Sequence, residues 1–261
     1  MGRTIMPVGD VIAVAAAAQT VAIPSTSLPD KGIIGFLLAL SGAGNDLTDL
    51  DRIRVKVSTK VKFDLAIAHE RRIVRRWSDS NLVPADADTL LSVPLNLGPA
   101  GRLDDRYQLQ PGKCNFELVT AAGWGAGSYR VYVVTTDEPA LGYVEAIGDS
   151  LQQALSTGPK DYTPASEGLI HGFVVNTTGL SALDLFDSEQ RRRFALDVGV
   201  PNPLLEVERM EDGAAVAGID PRAFVLKGPI AAAGAKFKVT AGAAWAGAAN
   251  ELTAIRHIPL A

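Results

Sequence analysis

Lys113 to Val134 reads KCNFELVTAAGWGAGSYRVYVV, and the chain returns to the same plan near its end, where Ala235 to Ile258 reads AKFKVTAGAAWAGAANELTAIRHI. Phe116 precedes Trp124 by eight residues, and Phe237 precedes Trp245 by the same eight. Each stretch carries a Val-Thr pair, Val119-Thr120 in one and Val239-Thr240 in the other. A second pair of echoes lies upstream of these, in the same order. Lys31-Gly32-Ile33-Ile34-Gly35-Phe36 is answered by Glu167-Gly168-Leu169-Ile170-His171-Gly172-Phe173. Two matched anchors in matched order imply one structural unit used twice along the chain.

Periodicity says what the unit is made of. Cys114, Phe116 and Leu118 alternate with Lys113, Asn115 and Glu117, the pattern of a half-buried strand, and Tyr129, Val131 and Val133 form a second run of period two. Gly123, Gly125 and Gly127 lie between them, so the pair is expected to be a long hairpin. Trp124 near its tip is open to two readings: a ring folded back over the end of a sandwich, or a contact to another subunit.

The rest of the chain follows the same style. Val11 to Ala18 (VIAVAAAA) is far shorter than the roughly 20 residues that span a bilayer. It makes a poor secretory signal, because Asp10 interrupts the approach and the run lacks leucine, and reads better as an N-terminal arm or a first strand. Gly32 to Leu40 has the composition of a buried strand. From Asp51 to Leu65, Ile53, Val55, Val57, Val61, Phe63 and Leu65 alternate with Arg52, Arg54 and Lys56 around a Ser58-Thr59-Lys60 turn, which predicts an antiparallel pair with one wet face. The basic cluster His69 to Trp77 is either an anion or nucleic-acid site with Trp77 stacking, or a solvated loop or strand face whose arginines meet carboxylates across a subunit contact. A net charge of −4 favours the second. Leu90 to Leu97, Leu204 to Val207 and Ala223 to Leu226 are further short apolar runs set among Pro and Gly. Ile147, Leu151 and Leu155 recur at helical spacing and predict a short helix in the connecting segment; Asp187 to Gln190 ahead of Arg191, Arg192, Arg193 and Phe194 predicts another. Many short strands with Gly and Pro turns, twice over, describe an all-β chain of two tandem antiparallel sandwiches, each with room for about eight strands. The division expected is an arm over 1–20, a first sandwich over 21–138, a helix-bearing linker over 139–166 and a second sandwich over 167–261.

This arrangement resembles that of the double jelly-roll major capsid proteins of tailless, membrane-containing icosahedral phages of the corticovirus kind. The resemblance rests on Leu47 to Leu65 with its basic follow-on His69 to Arg76, the strand over 111–120 preceded by Pro111-Gly112, the linker, and a second unit on the same plan. It implies a structural subunit of an icosahedral virion shell, a homotrimer whose six sandwiches form a pseudo-hexameric capsomer that meets neighbouring capsomers. It also implies assembly in the host cytoplasm, with the N-terminal part facing the capsid interior and an internal membrane or its minor proteins. The alanine-rich, aromatic-poor second unit departs from the family's pattern.

Chemistry-bearing residues are few. Cys114 is the only cysteine, so it has no intramolecular partner and no cysteine cluster exists to hold a metal. Gly148-Asp149-Ser150-Leu151 spells the nucleophile motif of GDSL esterases, but the Asp-x-x-His expected near the C-terminus has Ala254 where His257 would need its acid. Asp149 is read instead as the cap of the linker helix, with Gln152 completing the box. His69 and His171 lack partners at ligand spacing. Asn45, Asp46, Asp49 and Asp51 gather oxygens that suit a structural Ca²⁺ or a simple turn. No catalytic or cofactor-binding residue is assigned, and no enzyme activity or specific nucleic-acid recognition is expected. The rival readings are a secreted carbohydrate-binding or adhesive β-sandwich protein and, behind it, a GDSL-type serine esterase.

Overall fold

A computed structural model of the chain describes residues 2–23, 31–42, 44–77, 89–110, 114–151, 158–176, 180–197, 222–241 and 251–260. The chain divides into two compact units, Met1–Ile147 with His257–Ala261, and Gly148–Arg256.

Unit 1 contains β1 (Thr4–Val14), β2 (Thr20–Ile23), β3 (Gly32–Ser41), β4 (Leu50–Val57), β5 (Lys60–Ala66), α1 (Ile67–Trp77), β6 (Leu90–Pro94), β7 (Cys114–Thr120), β8 (Gly127–Thr136) and most of β9 (Gly142–Ser150). One sheet has the order β1-β8-β3-β6; the other runs β9-β5-β4-β7-β2, with β9 parallel to β5. Alternation sends Phe36 and Leu38 of β3, Val131 and Val133 of β8, and Ile53, Val55, Phe63, Leu65, Phe116 and Leu118 of the second sheet into one core. The Phe36 and Phe116 rings meet across it with centroids 4.7 Å apart. Each such side chain removed from water contributes about 1.5–3 kcal/mol before entropy is counted.

Unit 2 contains β10 (Gly158–Tyr162), β11 (Leu169–Asn176), β12 (Leu180–Phe186), β13 (Arg192–Asp197), β14 (Arg222–Ala231), β15 (Lys236–Ala241) and β16 (Glu251–Pro259) as far as Arg256. Its sheets run β10-β15-β12-β13 and β14-β11-β16. Its core centres on Phe173, whose ring lies 5.1 Å from those of Phe194 and Phe224 and 5.2 Å from that of Phe237. Raising every strand number in β2-β7-β4-β5 by eight gives β10-β15-β12-β13, and doing the same to β8-β3-β6 gives β16-β11-β14. Two eight-strand series wound in the same two-sheet order make a double jelly roll. The all-β tandem expected from the repeat is the observed fold.

Several local expectations differ from the structure. β7 and β8 are not a hairpin: β7 pairs with β4 and β2, whereas β8 pairs with β1 and β3. Residues 121–126 therefore carry the chain from one sheet to the other, because both strands need partners on the two layers they face. β15 and β16 repeat the same crossing, with Trp245 outside the described residues. The basic stretch is an α-helix, not a loop or strand face, since Ile67, Ile73, Val74 and Trp77 recur at helical spacing and are all buried. Ile147 and Asp149, expected to open and cap the linker helix, belong to β9, where Val144 and Ala146 alternate inward; Leu155 lies outside the described residues. Asp187 to Gln190 is a tight turn into β13 rather than a helix cap. The Asp187 carboxylate accepts from the Glu189 and Arg191 amides at 3.0 and 2.9 Å, and Gln190 has φ 61°. Of the two readings of Val11 to Ala18, Val11 follows the second: it belongs to the first strand, β1, which pairs with β8.

Candidate functional site: a charged sheet face and two open strand edges

The alternation in β4 and β5 that buries Ile53 and Phe63 turns Arg52, Arg54, Lys56 and Asp64 to the other face. Register sets Arg54 opposite Asp64 on one side and opposite Glu117 of β7 on the other. The Arg54 guanidinium reaches Asp64 Oδ2 at 3.1 Å and Glu117 Oε2 at 3.4 Å. Arg52 donates to Asp64, and Lys56 to Glu117. Opposite charges directly across a ladder support the sheet, and here three cations share two carboxylates. At the parallel seam, Lys62 of β5 donates to Glu145 and to the Tyr143 hydroxyl of β9; the Lys62 and Glu145 side chains are only 11% and 9% exposed.

On α1, His69 and Glu70 are buried. His69 is held down to about 4 by burial and by the charge of Arg52, and burial alone pushes the Glu70 carboxyl well above its ordinary value. Among the described residues, neither Glu70 oxygen has a hydrogen-bond partner. Trp77 donates its indole N–H to the Gly98 carbonyl at 3.0 Å. The helix thus uses its apolar face for packing, and the aromatic ring considered for stacking a base is inside.

The other singled-out residues are occupied structurally. Trp124 is 2% exposed, which fits the reading of a ring that covers a sandwich end. Its crossing is fastened by Asn45, whose amide donates to the Gly125 carbonyl at 3.0 Å and accepts the Gly125 N–H at 2.9 Å. A Cβ on Gly127 would fall 2.4 Å from Asn45 Nδ2, so the close approach requires glycine. Asp46 caps a short 3₁₀ turn over Leu47–Asp49 by accepting from Thr48, while Asp49 accepts the Asp46 N–H at 3.0 Å. These oxygens act as turn acceptors, and no group of three or more His, Cys, Asp or Glu side chains at metal-binding distance occurs among the described residues. Cys114 is buried, with its thiol pushed up to about 12 by desolvation, so it supplies no thiolate near neutrality.

The described side chains of the esterase reading have other partners. Asp149 stands in β9 and accepts from the Tyr162 hydroxyl, rather than capping a helix. His257 stacks on Tyr107 with centroids 4.2 Å apart and uses Nε2 on the Leu97 carbonyl at 2.5 Å. His171 is buried in β11, which lowers its pKa. The described residues of unit 1 line two hollows that could be considered for a ligand. One of about 370 Å³ beside the β4–β5 turn is lined by Thr59, Lys60, Leu109, Tyr143 and Leu260. The other, an open groove, holds Arg3 paired with Asp105 at 2.7 Å and Arg106 paired with Asp104 at 2.8 Å. Neither brings a nucleophile to a base.

What remains on the surface is unpaired strand edge. β1, β2, β6, β10, β13 and β14 end their sheets among the described residues, and β1 and β13 differ in character. β1 exposes Ile5 at 58% and Val11 at 52%; β13 exposes Arg192 and Arg193. An eleven-residue edge with apolar side chains in water is a template for another chain. Sequence reasoning missed both edges, because only pairing order shows which strand ends a sheet.

No family model matches the sequence, and no curated protein matches it. By structure the chain is similar along its whole length to viral shell proteins. The major capsid protein P2 from Bacteriophage PM2 superposes with TM-score 0.70 at 12% identity, covering 100% of this chain and 98% of that one. The STIV MCP gives 0.63 at 10%, covering 99% and 97%, and the PBCV-1 virus capsid gives 0.53 at 9%, covering 98% and 93%.

Proposed function

We propose that this chain is a major capsid protein: a structural subunit that forms homotrimers, presents its six jelly rolls as a pseudo-hexameric capsomer, and tiles an icosahedral virion shell. The observation that carries this reading is the full-length match of both jelly rolls, in order, to proteins named as viral capsid proteins. The chemistry of the surface agrees with it. Charged groups pair with one another within the sheet face, the histidines and the cysteine are packed inside, and strand edges are left for other chains. Two sandwiches per chain let a threefold assembly approach sixfold contacts, which suits hexagonal lattice positions. Location in the virion, assembly in the host cytoplasm and contact with a membrane or its proteins beneath the shell belong to the same proposal.

Light scattering of the purified chain across concentration tests it. The expected mass is near three times 27.4 kDa. A monomer that stays monomeric on concentration would remove the trimer and return the glycan-binding reading to the front, where a glycan array would decide it.

A further inference from the structure

Within unit 1, β5 is not left open: β9 lies parallel to it, with Phe63 opposite Ala146 and Asp64 opposite Ile147. In the doubled strand order β13 is the counterpart of β5, and β9 is the counterpart of β1. The correspondence reaches single residues. Val55 faces Phe63 and Ile53 faces Leu65 in the first pair; Leu185 faces Phe194 and Leu183 faces Leu196 in the second. Phe63 therefore corresponds to Phe194 and Lys62 to Arg193. Likewise Ala146-Ile147-Gly148-Asp149 of β9 is echoed by Pro7-Val8-Gly9-Asp10 of β1. Among the described residues β1, β2, β6, β10, β13 and β14 each end a sheet, and two of these, β1 and β13, are the counterparts of the two strands that already meet.

We propose that β1 of one copy docks along β13 of the next copy, in the parallel register that β9 adopts on β5. That register sets Pro7 opposite Phe194, Val8 opposite Ala195 and Ile5 opposite Arg192. The occupant of each edge is a second copy of this chain, because the internal seam shows that this sequence family of strands accepts that partner. Lys62 and Glu145 show how such a seam desolvates long side chains, whereas Ile5 and Arg192 stand in water, the latter with 62% of its side chain exposed. Pro7 removes a donor from β1, which makes the edge a poor template for indiscriminate ladders and leaves side-chain fit to select the partner. The contact joins two different patches, so it must close into a ring or run on as a filament. The inference rests on the trimer proposed above, which is the ring that closes it.

The test introduces Ile5→Cys together with Arg192→Cys in the full chain, both at exposed positions, with Cys114 buried as an inert background. Under mild oxidation a ladder of two and three linked chains is expected on a non-reducing gel, lost on reduction and absent from either single variant. Ile5→Lys, which sets a cation against Arg192, is expected to raise the concentration for half-assembly at least ten-fold while circular dichroism is unchanged. A trimeric mass without the ladder overturns the edge docking and leaves the trimer standing; a monomeric mass for the unmodified chain overturns both.

Discussion

His69 and Glu70 are neighbours on α1 that pull stability in opposite directions with pH. Native His69 stays neutral down to about pH 4, whereas the unfolded chain takes up that proton near 6.5. Its contribution is complete above pH 6.5 and is lost as pH falls towards 4. Native Glu70 keeps its proton above the ordinary value of 4.5, so its contribution is complete below that pH and drains as pH rises. His69→Gln is expected to flatten the acid side of the stability profile by on the order of 3 kcal/mol, since each tenfold difference in proton affinity between folded and unfolded chain is worth about 1.36 kcal/mol. Glu70→Gln is expected to flatten the other side. Urea unfolding of all three proteins from pH 4 to 9 measures both slopes; parallel profiles for the wild type and Glu70→Gln would mean that the carboxyl does not titrate on unfolding.

At the scale of elements, the crossings between sheets decide the topology, and the first is held by few groups. Asn45 satisfies both backbone groups of Gly125, and Thr120 Oγ donates to the Ala17 carbonyl at 2.9 Å from the strand end beside it. Asn45→Ala leaves those backbone groups without their partner and is expected to cost about 1–3 kcal/mol. Trp124→Ala at the same crossing opens a cavity and is expected to cost about 3–5 kcal/mol. Denaturation midpoints at constant m-value measure both, and a loss below about 0.5 kcal/mol for Trp124→Ala, the size expected of an ordinary surface substitution, would mean that the ring is not needed to close the sandwich end. α1 shows the same dependence on context: its arginines drew the sequence reading towards a solvated surface, while its buried face follows from the spacing of Ile67, Ile73, Val74 and Trp77.

For the whole molecule, the last residues of the chain return to unit 1. His257 bonds the Leu97 carbonyl and stacks on Tyr107, and the Leu260 N–H reaches the Leu141 carbonyl at 3.1 Å. Removing 257–261 takes away these contacts and the buried Ile258, a loss of roughly 3 kcal/mol or more. A lower urea midpoint by circular dichroism is the expected result; an unchanged midpoint would mean that unit 1 is closed without its C-terminal strand.

Repetition of Phe116 and Trp124 as Phe237 and Trp245, with period-two apolar runs around them, was enough to establish two β-sandwiches, because strand alternation and duplication are properties of sequence order alone. That Ala254 stands where an Asp-x-x-His acid would precede His257 is likewise read from sequence order alone. Which strands pair was not legible. Apolar alternation is identical whether β7 turns back on β8 or crosses to the facing sheet, and only the competition of β4, β2, β1 and β3 for their edges decides it. The open edges β1 and β13 are of the same kind: an edge is defined by the strand that is not beside it, and that is a property of the assembled sheet rather than of any segment.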